Sequence, residues 1–211
     1  MTLPLTVLAL VLLAWFAAGT IWNVRRGHEL MRWMRGGLPL LGERTTVRWL
    51  GSTAVEVVIR QARPPFEEAA VVIFLEPRDV PWMWALSRGR GRRDTLIIRA
   101  KLRKAPRADL EALDRASWSG RDALRSMGGG EWSVREPAAR RGLATFYRAP
   151  AALSRADAML EVAARAGLTV RRLSVRQGGP HLQIHVDPPD GGVSASDFFE
   201  AVRALGARAP A

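Results

Sequence analysis

The sequence predicts an α+β protein: a single N-terminal transmembrane helix followed by a mixed, mostly antiparallel sheet domain with packed helices. Three observations carry that prediction. Residues 3–22 (LPLTVLALVLLAWFAAGTIW) form an apolar run with no charged side chain, and about twenty residues at 1.5 Å rise match the ~30 Å hydrocarbon layer of a bilayer. From Thr45 onward, several short segments place apolar residues at every second position, which is the period of strands. Helical and strand-like segments then succeed one another without strict alternation, and that order favours α+β over a doubly wound sheet.

A cleaved signal peptide is the competing reading of the first segment. Signal peptides carry a basic n-region, a shorter apolar core and a small-residue cleavage site. No basic side chain precedes Leu3 and the run is long, although Ala14, Ala17 and Ala18 supply small residues. The expectation is an uncleaved anchor over residues 1–22. Arg25, Arg26, Arg32 and Arg35 follow the run and no arginine precedes it, so the N-terminus is expected outside and the remainder on the cytoplasmic face of the plasma (inner) membrane.

Composition narrows the function classes. The net charge of +12 favours anionic headgroups, nucleic acid or an acidic partner protein. Lys101 and Lys104 are the only lysines, a skew that a GC-rich genome also produces, so the charge is discounted as a sign of binding. The absence of cysteine excludes disulfides and thiolate chemistry. What remains after the anchor is the size of one ordinary domain.

Residues 23–35 (NVRRGHELMRWMR) place Val24, Leu30, Met31, Trp33 and Met34 on one half of a helical wheel and arginines on the other. An amphipathic juxtamembrane helix over 23–37 is expected, with Gly27 as the bend. Its apolar stripe suits the headgroup plane or the core of the domain equally. Gly36, Gly37 and Pro39 end it. Thr45, Val47 and Trp49, then Val55, Val57 and Ile59, predict a hairpin with one buried face around Gly51-Ser52. Residues 69–75 (AAVVIFL) read as a strand buried on both faces or central in its sheet, and residues 94–104 alternate cleanly.

Pro106 is expected to open a helix through Asp114, with Asp109, Glu111 and Asp114 outward. A short helix over 119–127 follows, then Gly128-Gly129-Gly130, the one candidate boundary inside a domain spanning 43–207. Strands near 131–135 and 143–148, a helix over 151–166, strands at 170–176 and 181–187, and a helix over 196–207 capped by Ser194 or Ser196 complete the chain.

The most unusual segment is 80–93 (VPWMWALSRGRGRR). Indoles favour the bilayer interface, and each basic residue near an anionic surface adds roughly 1 kcal/mol of attraction. Trp82, Trp84, Arg88, Arg90, Arg92 and Arg93, with Arg25, Arg26, Arg32 and Arg35, form the expected membrane-surface set. The competing reading makes Trp82, Met83, Trp84 and Leu86 core and the arginines a solvated hairpin tip. His181 and His185 in HLQIH alternate with apolar residues; on a strand they stand ~13 Å apart, too far to share one metal. His185 and Asp187 would share a polar face and are the one candidate acid–base pair.

Gly89-Arg90-Gly91 lacks the third glycine of a dinucleotide loop, and Walker, GxSxG, HExxH and EF-hand patterns are absent. No cofactor or metal is expected, and a non-catalytic role is favoured. The sequence points to a basic domain acting as a binding, scaffolding or regulatory module at the membrane, with a bilayer of anionic headgroups or another membrane protein as partner. A membrane-tethered enzyme acting on an anionic or lipid substrate is the alternative. Nucleic acid is the least favoured partner, because charge alone supports it.

Overall fold

The computed structural model describes residues 2–127, 131–137, 142–189 and 191–210. Helix α1 (Thr2–Met34) runs unbroken through Gly27. An added Cβ at Gly27 would stand 2.8 Å from the Trp49 ring, so this glycine serves close packing and not a bend. Helix α1 ends as Gly37 N–H donates to Met34 O at 2.9 Å, and a 3-10 turn follows at Leu38–Leu40.

The strands are β1 (Gly42–Trp49), β2 (Ala54–Ala62), β3 (Phe66–Phe74), β4 (Thr95–Leu102), β5 (Leu110–Leu113), β6 (Ser133–Arg135), β7 (Ala144–Tyr147), β8 (Val170–Val175) and β9 (Leu182–Val186). They form one nine-stranded sheet in the order β1-β2-β3-β4-β9-β8-β5-β7-β6, antiparallel at every pairing. The other helices are α2 (Pro81–Gly89), α3 (Trp118–Ser126), α4 (Pro150–Arg165) and α5 (Ala195–Arg208). Ser194 caps α5 by accepting from Asp197 N, as a serine at that position should.

One face of the sheet is the core. Leu96, Ile98, Leu173, Ile184 and Val186 meet Met159 of α4, Phe198, Phe199 and Val202 of α5, and Leu30 and Met34 of α1. Trp33 packs edge-on to Phe198, with ring centroids 5.2 Å apart. The apolar stripe of 23–35 therefore belongs to the domain core, the second of its two expected settings. The opposite face carries Arg60, Arg99, Lys101, Gln183 and Arg176, with α3 over its far end, where Leu113, Ala123, Ala144 and Phe146 form a second cluster.

Two expectations are corrected here. Residues 106–114 form no helix: β5 occupies 110–113 between β8 and β7, and all four of its residues are buried. Glu111 points to the face opposite Leu110 and Ala112, where Arg172 Nε donates to one carboxylate oxygen and Arg176 Nη2 to the other. Acidic alternation that resembled a wet helix surface is a buried ion pair on a strand. The predicted hairpin forms, with Gly51 at φ +79 in its turn, but β1 beyond Gly42 is exposed on both faces because it lies at the sheet's edge, outside the main cover of the helices. The candidate boundary at 128–130 lies outside the described residues, and strands from both sides of it pair in one sheet.

Candidate functional site

The Trp-Arg segment is a helix, α2, opened by Pro81 at its first turn. Pro is preorganised for that position. None of its residues is buried; Trp82 is 65% exposed, and Met83 and Leu86 are exposed with it. The reading of these three as core is thereby corrected: the sheet already has its cover from α1, α4 and α5, and α2 lies outside that layer.

Helix α2 reaches α1 at one ring contact. The Trp84 ring lies 6.3 Å from that of Trp15, and Trp15 Nε1 donates to Arg78 O at 2.9 Å. Gly19 makes the approach close: a Cβ there would stand 2.3 Å from Arg78 O. Trp15 and Gly19 both fall inside the apolar run, so Trp84 of α2 and the loop before α2 flank the run itself and not merely its end.

A polar hub holds this junction. Glu76, 2% exposed, accepts from Trp84 Nε1 at 2.6 Å and from Arg88 Nη1 at 3.1 Å. Arg78 donates Nη1 and Nη2 to the two oxygens of Asp94 at 2.9 and 3.0 Å, and Nη1 also to Asn23 Oδ1 at 3.2 Å. Asn23 is fully buried. Bidentate guanidinium–carboxylate pairs are the stronger and better-oriented ion pairs, so this one fixes the loop after β3 to the start of β4, and the Arg78–Asn23 bond ties α1 to both.

The expected surface arginines divide. Arg88 is drawn to Glu76. Arg92 lies over the Phe74 ring at 4.3 Å and near Trp118 at 5.7 Å, and its pKa is lowered by burial. Arg93 donates to the carbonyls of Arg88 and Arg92. Arg90 is exposed, as are Arg25, Arg32 and Arg35, while Arg26 pairs loosely with Glu29 at 3.4 Å and Asp94 at 3.9 Å. Sequence reasoning missed Trp15, Asn23, Glu76, Arg78 and Asp94. The one available signal was Glu76-Pro77-Arg78-Asp79, a charged island set between an apolar strand and the indoles.

The histidines do separate work. His181 Nδ1 accepts from Leu102 N at 3.0 Å. His185 is 4% exposed with Nε2 2.6 Å from Gln183 Nε2; burial, then the nearby Arg172 and Arg99, pushes its imidazole down to about 3. Asp187 is held by Arg171, which also binds Asp114. His185 and Asp187 thus sit in different networks. His28 packs edge-on to Trp49. Among the described residues no three His, Asp or Glu stand together as a metal site.

No family model matches the chain, and no curated protein matches it. Helix α1 is long and apolar enough to cross a membrane, and none of its apolar window is buried in the rest of the protein.

Proposed function

We propose that this chain is a single-pass membrane protein whose basic domain is held at the cytoplasmic face, where it serves as a binding, scaffolding or regulatory module. One observation carries the reading: α2 exposes Trp82, Met83 and Leu86 while packed on Trp15, within the apolar run of α1. Exposed indoles and aliphatic side chains at that level are costly in water and suited to a bilayer interface. Arg25, Arg32, Arg35 and Arg90, all exposed, lie beyond it in sequence or on the same junction, where anionic headgroups attract them. Trp15, which removal after Ala18 would take away, donates Nε1 to Arg78 O at 2.9 Å, and that bond favours retention of the segment.

The chain lacks cysteine, so a single introduced thiol reports one position. An environment-sensitive dye on Met83→Cys in the full chain in vesicles is expected to shift to the blue and to be quenched by brominated acyl chains. The same dye on Glu131→Cys should remain water-like. A C-terminal tag should react with a membrane-impermeant reagent only after the cells are permeabilised. Equal quenching at both thiols, or a tag that reacts in intact cells, overturns the placement.

A further inference from the structure

Two cavities at the junction of α1 and α2 share a wall. The first, about 330 Å³, is lined by Trp15, Ala18, Gly19, Trp22, Arg78 and Trp84. The second, about 700 Å³, shares Ala18, Trp22 and Arg78 and adds Arg25, Arg26, Glu29 and Asp94. They form one crevice with an indole-lined end beside the apolar run and a charged end where the run stops. Both volumes are of the size that small-molecule sites occupy.

The charged end is not neutral. Arg78 and Asp94 satisfy one another, and Arg26 is shared between Glu29 and Asp94 at 3.4 and 3.9 Å. Arg25 is exposed and has no ion-pair partner among the described residues. Three arginines therefore face two carboxylates. The order of the two ends along α1, apolar then cationic, is the order of acyl chain and phosphate in one leaflet.

We propose that this crevice is a phospholipid site selective for an anionic headgroup. The phosphate sits between Arg25 and Arg26, and an acyl chain lies along Trp15, Ala18 and Trp22. Guanidinium groups match phosphate oxygens in charge and fork geometry. A free phosphate gains nothing from indole walls, and that decides for a lipid. The assignment rests on α1 being a membrane span.

Native mass spectrometry of the full-length protein, exchanged into micelles of equal phosphatidylglycerol and phosphatidylcholine, tests it. One phosphatidylglycerol is expected to be retained in preference. Retention should weaken about fivefold in Arg25→Gln and about thirtyfold in Arg25→Gln/Arg26→Gln, from roughly one unit of attraction per basic residue. It should vanish in Ala18→Leu, which fills the apolar end. Arg60→Gln/Arg99→Gln removes equal charge from the exposed face of the sheet and should retain the lipid. Equal retention of the two lipids by the wild type, or equal loss in both double variants, overturns the site. Flotation on vesicles separates the two readings: protein that floats without headgroup preference overturns the lipid site alone, and protein that fails to float overturns the membrane span as well.

Discussion

His185 shows what a single buried group does to the whole chain. Its imidazole, held near 3 by burial and by the like charge of Arg172 and Arg99, stays neutral in the folded protein across the physiological range. The unfolded chain protonates the same ring near its ordinary value of 6.5. Stability is therefore full above about pH 6.5 and falls as pH drops toward 3, by up to about 1.4 kcal/mol per pH unit. Urea midpoints measured between pH 6.5 and 5, above most carboxylate titrations, should decline in the wild type and flatten in His185→Gln. Parallel slopes in the two proteins would remove His185 as the cause. Glu111 is the counterpart: a carboxylate with no exposed surface, paired with Arg172 and Arg176, where loss of one partner strands the others.

At the scale of elements, Gly19 sets how closely α1 and the α2 junction can approach. Gly19→Val places side-chain atoms where Arg78 O already stands and should part the Trp15–Arg78 hydrogen bond. Overpacking of this kind costs about 1–3 kcal/mol, and a lowered thermal midpoint in detergent is the readout. An unchanged midpoint would mean that α1 is not docked there. Most elements were legible because their periods are unambiguous, as in 95–102, 150–165 and 195–208. Residues 110–113 were not, because LEAL satisfies a helical and a strand pattern alike over four positions, and what decides is pairing to β8 and β7, sixty and thirty residues downstream in rough terms. The candidate site was half legible. Tryptophan beside arginine marked α2, but the partners Asn23, Glu76 and Asp94 become neighbours only through the fold, and nothing local distinguishes them from other polar residues.

For the whole molecule, the last turns of α1 share one core with the sheet. Leu30 and Met34 are buried in the main core, and removal of large buried side chains costs about 2–5 kcal/mol each, against a total of about 5–15 kcal/mol for a typical domain. A fragment of residues 38–211 is expected to lose its near-ultraviolet circular dichroism and its cooperative melt. A fragment of residues 19–211 keeps Leu30, Met34 and Asn23 and should retain both. A cooperative transition in the shorter fragment would show that α1 contributes nothing to the core.

The unbroken course of α1 from Thr2 to Met34 has a mechanical meaning. Under the proposed placement, with its first part in a bilayer and its last turns clamped in the core, the helix is a mast and not a leash. The sheet is then presented at one height and one tilt above the lipid, without the freedom to sweep a volume of solution. A partner in the same membrane meets it already aligned, whereas a soluble one has to arrive at that fixed address.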